Sequence, residues 1–223
     1  MDIKILIATH KQAQMPKEDI YLPVHVGKAL HPDVQLGIQT DNEGDNISTK
    51  NPYYSELTAM YWAWKNIKAD YIGLSHYRRL FAFKRKLKDW DRILTKKEAE
   101  ALCQKYDVIL PKKRKWYIET VYSHYDHTLD GKHLDDTAKI IEELFPDYLP
   151  FFHKAMKRRE EHLFNMFIMK WNLFDNYCNF MFPILQRLEQ MYDLKSMDPF
   201  QARLIGRMGE RLLDVWLMKN NLT

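Results

Sequence analysis

The stretch Tyr71-Ile72-Gly73-Leu74-Ser75-His76-Tyr77-Arg78-Arg79 constrains the fold more than any other part of the chain. From Tyr71 to Leu74 nothing polar interrupts the run, the pattern of a strand covered on both faces, and such strands belong to parallel sheets. The run then breaks into His76, Tyr77, Arg78 and Arg79 at the expected carboxyl end of the strand. Open α/β sheets bind ligands in the crevice outside those ends. Two adjacent guanidiniums there suit an anion, phosphate above all, because each presents a planar fork of donors. A solvated, basic strand end accounts for the same residues, so the run by itself leaves both readings open.

The other elements agree with an α/β fold: a mixed, mostly parallel sheet flanked by helices, in a single domain. Residues 3–8 read as a first strand, with Thr9 and His10 at its carboxyl end, and residues 34–38 as a second. The polar segment 39–48 follows, a loop whose Gly and Asn residues free the backbone to approach a ligand. Asn51-Pro52 opens a helix whose Leu57, Met60, Tyr61 and Trp64 form a buried stripe, which makes a strand–helix–strand crossover into Tyr71. The charged segment 84–92 reads as a surface excursion. Thr95 and Glu98 match a capping box, and residues 107–110 read as the next strand.

After Pro111 comes Lys112-Lys113-Arg114-Lys115-Trp116, the densest positive charge in the chain. Charge runs are usually solvated loops, but this one follows a strand on the expected site edge. Residues 116–133 carry Glu119, Tyr122, His124, Tyr125, Asp126 and His127 in one aromatic, polar loop, the kind of long connection that is functional in compact domains. Its histidines lack the helical or Cys-paired framework of a zinc site. Helices are expected over 135–145 and 151–159, a strand over 162–169 led in by His162 and Asn165, and a long helix containing Pro183. A terminal apolar helix is expected to open at Glu210.

With 223 residues the chain suffices for one sizeable α/β domain. The net charge of +4 tolerates an anionic substrate or membrane surface and is too weak to argue for nucleic acid. Cys103 and Cys178 fall on apolar helix faces and read as reduced core residues of a cytoplasmic protein. Met1-Asp2-Ile3-Lys4 runs directly into the first strand, so no secretory signal is expected, and no apolar run has the length of a membrane span.

With these pieces assembled, the chain resembles a family of small bacterial glycosyltransferases of capsule and exopolysaccharide synthesis, much of it catalogued as a domain of unknown function. The resemblance covers nearly the whole chain. It is carried by Gly44-Asp45-Asn46-Ile47-Ser48, the helix 56–64, residues 73–79 and Ile109-Leu110-Pro111-Lys112-Lys113. Further marks are Tyr117-Ile118-Glu119-Thr120-Val121-Tyr122-Ser123-His124-Tyr125, residues 162–169 and Glu210-Arg211-Leu212-Leu213. It implies a GT-A-like, Rossmann-type fold and transfer of a hexosyl unit, galactose or galactofuranose, from a UDP-sugar. Residues 1–115 would form the nucleotide-sugar half and 116–223 the acceptor and catalytic half. Thr9, His10, Asp45, Asn46, His76, Tyr77, Arg78, Arg79 and Lys112 would hold the donor. Glu119, Tyr122, His124, His162 and Asn165 would meet a glycan acceptor carried on a lipid.

GT-A enzymes generally carry an acidic Asp-x-Asp motif after the strand that corresponds to Tyr71–Leu74; this chain has His76-Tyr77-Arg78-Arg79 instead. Guanidiniums repel the magnesium or manganese that carboxylates would bind. The expectation is therefore a metal-independent enzyme in which Arg78 and Arg79 are catalytic, neutralising the leaving diphosphate. Glu210 is the expected general base, with Asp198 and Glu119 behind it, and an ordinary helix-terminal carboxylate is the competing explanation of Glu210. Phe151-Phe152 with Lys157-Arg158-Arg159 would suit peripheral contact with the inner face of the cell membrane, or equally a packed helix with a charged outer face. Two rivals stand beside this reading: a non-catalytic anion- or nucleic-acid-binding module, and a phosphatase or nuclease using His76 and Asp45.

Overall fold

A computed structural model describes residues 1–83 and 90–222. Most of the charged excursion expected at 84–92 thus lies outside the described residues; its end, Trp90–Arg92, is one turn of 3-10 helix. In chain order the elements are β1 (Ile3–Thr9), β2 (Tyr21–His25), β3 (Gln39–Thr40), α1 (Asn51–Tyr54), α2 (Leu57–Asn66), β4 (Tyr71–His76), α3 (Lys96–Cys103) and β5 (Val108–Ile109). They continue with β6 (Arg114–Lys115), α4 (Val121–Thr128), α5 (Lys132–Leu144), α6 (Leu149–Met156), β7 (Glu160–Glu161), β8 (Phe167–Lys170), α7 (Trp171–Glu189) and α8 (Leu204–Lys219). They gather into two compact units.

The first unit comprises residues 1–51, 55–111 and 166–175. It holds a six-stranded sheet in the order β3-β2-β1-β4-β8-β5. β1 pairs in parallel with β2 and β4, and β2 with β3, while β8 runs antiparallel to both β4 and β5. The sheet is therefore mixed and mostly parallel, with α2 and α3 against it. Ile5, Leu6, Ile7, Ile72, Leu74 and Ile168 are fully buried, each contributing roughly 1.5–3 kcal/mol by leaving water. Gly73 permits the closest strand approach. A Cβ there would come 2.9 Å from Ile168 Cγ1 and 3.0 Å from the Phe167 carbonyl oxygen.

The expected strand over 34–38 is not formed; Tyr21–His25 takes the second position in the sheet. Pro23 obscures this strand in the sequence because proline removes a ladder donor. The fold tolerates it because β3 pairs only with Val24 and His25, leaving Pro23 without a partner on that side. The capping box at Thr95 and Glu98 forms as expected.

The second unit comprises residues 52–54, 112–165 and 176–223, mostly helices, with the short antiparallel ladder β6-β7. Trp216, Leu212, Phe152, Leu134, Ile141 and Tyr177 are in its core. Three expectations are corrected here. The loop expected at 116–133 contains helix α4, whose capping box pairs Thr120 with Ser123; a Ser where Glu or Gln usually stands hides the signal. The expected strand over 162–169 starts only at Phe167, since Phe164 (φ 70°) and Asn165 (φ 51°) adopt left-handed backbone that no strand accommodates. Glu210 does not open a helix but lies in the interior of α8. Gly206 and Gly209 look like breakers, yet both are buried in this helix and serve close packing: Asn165 Nδ2 donates to the Gly206 carbonyl (3.1 Å) and the Tyr177 hydroxyl to that of Gly209 (3.2 Å).

Candidate functional site

In the first unit, the parallel strands β3, β2, β1 and β4 end at one sheet edge with Thr40, His25, Thr9 and His76. β1 and β4 are neighbours, with Ala8 opposite His76, so Thr9 and His10 emerge beside Tyr77 and Arg78. The His10 and Tyr77 rings meet edge-on at 5.6 Å, and His76 lies 4.4 Å from Tyr77. Lys11 Nζ stands 5.5 Å from the centre of the Tyr77 ring and the Arg78 guanidinium 5.4 Å, so two cations approach one aromatic ring.

The turn is held by the main chain. The Arg79 amide donates to the His76 carbonyl (2.7 Å), the His76 amide to the Arg79 carbonyl (3.1 Å), and the Arg78 amide to His76 Nδ1 (3.2 Å). Both arginine side chains are exposed. Next to the turn, Tyr77, Arg78, Leu80, Ala82, Trp90, Arg92 and Ile93 line a cleft of about 350 Å³ with aromatic walls and two guanidiniums.

Of the expected donor residues, Thr9, His10, His76, Tyr77, Arg78 and Arg79 thus come together. Asp45 and Asn46 are engaged elsewhere. The Asp45 amide donates to Asn66 Oδ1 (3.2 Å), its carbonyl accepts from Asn66 Nδ2 (2.7 Å), and its carboxylate accepts from the Tyr61 hydroxyl (3.4 Å). Asn66 closes α2 just before β4 begins, whereas His76 finishes β4. Asn46 closes its own turn, donating to the Asn42 and Gly44 carbonyls. Lys112 is exposed and belongs to the second unit.

In that second unit a continuous polar chain joins residues expected separately. The Glu119 carboxylate meets His124 Nδ1 at 2.8 Å and His127 Nδ1 at 2.6 Å, and these contacts, His124 first, hold it below the usual carboxylate range. His124 stacks on Trp116, with centroids 3.6 Å apart. Trp116 Nε1 donates to Glu161 (3.0 Å); Glu161 faces Arg211 Nε at 3.5 Å; Arg211 Nη1 donates to Glu210 (3.1 Å). Trp116, Glu161 and Arg211 are not among the site residues expected from the sequence, because nothing local marks them as partners. Tyr122 points away, its hydroxyl donating to Asp135 on α5 (3.2 Å). Asp198 is engaged in capping the turn at Phe200 and Gln201.

Beside this chain lies a buried histidine–carboxylate pair. His162 Nδ1 is 2.7 Å from Asp214 Oδ1, and the His162 main-chain amide donates to Asp214 Oδ2 (2.8 Å). Both residues are buried. Asp214 thus fixes the ring, leaving Nε2 as the nitrogen for another partner. The positive φ angles of Phe164 and Asn165 follow at once, a local strain of about 1–3 kcal/mol per residue that Asn165 helps hold through its bond to Gly206. Among the described residues, no group of three or more His, Cys, Asp or Glu side chains is arranged to hold a metal ion.

The family model titled Domain of unknown function (DUF4422) matches residues 4–221. The chain belongs to the DUF4422 family. Among solved structures, this DUF4422 chain is similar to the apo form of the bifunctional glycosyltransferase WbbM, with a TM-score of 0.89 and 29% identity over 99% of its residues. It spans 43% of the WbbM chain, less than half. No curated protein matches it significantly. Among the described residues, no helix is long and apolar enough to cross a membrane.

Proposed function

We propose that this DUF4422 chain is a glycosyltransferase that moves a hexosyl unit, galactose or galactofuranose, from a UDP-sugar to a lipid-linked glycan in capsule or exopolysaccharide synthesis. The likeness to WbbM supports the reaction class. The observation that carries the donor assignment is the His10–His76–Tyr77–Arg78–Arg79 cluster at the carboxyl edge of β1 and β4. Aromatic faces there suit a sugar or base ring, and the guanidiniums suit a diphosphate. The first unit binds the donor in this reading, and the second supplies acceptor and proton chemistry.

The residues at that edge do not fit a divalent cation, since His76, Tyr77, Arg78 and Arg79 contribute no carboxylate. The enzyme is accordingly metal-independent. As the bond from the anomeric carbon to the diphosphate oxygen breaks, Arg78 and Arg79 take up the charge developing on the leaving UDP. In an inverting transfer the acceptor hydroxyl forms the new bond and loses its proton to a base. We assign that role to His162 Nε2, with Asp214 as its positioning residue, in place of Glu210, whose carboxylate is engaged by Arg211.

Donor binding is tested by thermal unfolding with a panel of nucleotide-sugars, with and without EDTA. A UDP-hexose at a hundredfold its Kd is expected to raise the midpoint by about 5–10 °C, unchanged by EDTA. No response to any nucleotide-sugar, or a strict requirement for manganese, would remove the reading. The base is tested by pH–rate profiles. His162→Gln is expected to lower kcat about 10²–10³-fold and to abolish the acidic limb of the profile, with Glu210→Gln retaining that limb. The opposite pattern returns the role to Glu210.

A further inference from the structure

We infer that the turn following β6, at Tyr117-Ile118, is a docking surface for an anionic phospholipid bilayer. Tyr117 and Ile118 are adjacent and 79% and 87% exposed, the two most exposed large apolar side chains among the described residues. They project from a tight turn: Tyr117 has φ 59°, an uncommon backbone for an aromatic residue, and the Ile118 amide donates to the Trp116 carbonyl at 2.7 Å. Single exposed apolar residues need no explanation. Two side by side on a conformationally costly turn do.

Hydrogen bonds bring the two basic runs of the chain onto this one structure. Arg114 pairs with Glu161 and Lys115 with Glu160 in the ladder. The Trp116 amide then donates to the Arg159 carbonyl (2.8 Å), Arg159 Nη1 to the Tyr117 carbonyl (3.3 Å), and the Val121 amide to the Arg158 carbonyl (2.8 Å). Residues 112–115 (Lys-Lys-Arg-Lys) and 157–159 (Lys-Arg-Arg) therefore form a cationic collar round an apolar tip. Lys112, Arg114, Lys115, Lys157 and Arg159 are exposed. Nearby acids do little to cancel the collar. Glu160 lies 3.8 Å from Lys113; Glu161 is buried; Glu119 is engaged by its two histidines.

A tyrosine and an isoleucine ringed by lysine and arginine match a bilayer interface, where the apolar tip enters the acyl boundary and the collar meets anionic headgroups. Nucleic acid would use the collar and a stacking aromatic but gains nothing from the bare Ile118. At Phe151-Phe152 the structure has the packed helix that the sequence allowed equally with membrane contact. Phe152 is 2% exposed and packs in the core, so Phe151-Phe152 is not an available wedge; only its basic neighbours take part. The surface suits a lipid-linked acceptor but stands on its own geometry.

The test is co-sedimentation of the full chain with phosphatidylcholine vesicles, with and without phosphatidylglycerol, at low and high salt. Binding is expected only to the anionic vesicles and is released by salt. Ile118→Ser is expected to weaken it about tenfold, and Arg114→Ala/Lys115→Ala roughly thirtyfold, with unfolding midpoints unchanged because neither substitution touches the core. Failure to pellet with anionic vesicles, equal binding to neutral ones, or wild-type binding by both variants would overturn the proposal, as would retention of RNA without vesicle binding. The readout needs neither donor nor acceptor. Vesicle binding by a chain that ignores every nucleotide-sugar would keep this inference and remove the transferase reading.

Discussion

Replacing both Arg78 and Arg79 with alanine is expected to lower kcat for sugar transfer by about 10²–10³-fold while changing donor affinity far less. The asymmetry follows from when the charge appears. The intact donor already carries a diphosphate, but its bridging oxygen becomes anionic only as the glycosidic bond breaks. Only interactions that strengthen at that moment accelerate the reaction. The substitutions should not damage the fold. The turn is held by main-chain bonds from Arg78 and Arg79 to His76, which alanine keeps, and both side chains are exposed. An unchanged unfolding midpoint is the control. Lysine at both positions should restore part of the loss, since charge survives while the planar fork does not. Turnover equal to wild type in the alanine variant would show that the leaving group is stabilised elsewhere.

Arg211→Ala is expected to destabilise the second unit by about 3–5 kcal/mol at neutral pH, the effect of removing one partner from a buried charge pair. Glu161 is 2% exposed and Arg211 8%. Their 3.5 Å approach is an ion pair by distance but lacks hydrogen-bond alignment, for among the described residues neither Glu161 Oε2 nor Arg211 Nε has a hydrogen-bond partner. Arg211 is what makes the Glu161 charge tolerable.

Burial pushes the Glu161 carboxyl up, and Arg211 pulls against that shift. A carboxyl whose folded pKa is raised contributes stability below its unfolded value near 4.5 and loses it as pH rises through the folded one. Without Arg211 the upward shift grows, so the penalty should be larger at neutral pH than in mild acid. Glu161→Gln added to Arg211→Ala should recover much of the loss, because the amide can still accept from Trp116 without a charge. Denaturant titrations of the single and double variants at two pH values measure this. A loss below about 1 kcal/mol, the same at both pH values, would mean that the pair is electrostatically idle.

The cluster at the carboxyl edge of β1 and β4 was legible in the sequence because its residues are contiguous or end neighbouring strands. An apolar run that stops at His76 announces both a buried strand and its terminus, and Thr9-His10 repeats the pattern one strand away. Asp45 illustrates the limit. Its loop carries the composition of a binding loop, yet Asn66 and Tyr61, 21 and 16 residues distant, take up its polar groups.

Glu210 illustrates another limit. Two glycines precede it, yet α8 runs through both, and their carbonyls accept from Asn165 and Tyr177, contacts that no local pattern announces.

The features readable without coordinates are therefore periodic or local: the buried β4 run, the capping box at Thr95, the long helix containing Pro183, the basic runs and the lack of carboxylates at positions 75–79. Each depends on backbone preference or side-chain spacing within one element. Tertiary structure alone decided which distant groups meet. His162 finds Asp214 across 52 positions, and Glu161 finds Arg211 across a similar gap. The two basic runs become one collar only when β6 pairs with β7. Such pairings follow from how elements pack and where buried charge must find a partner, and no local pattern encodes them.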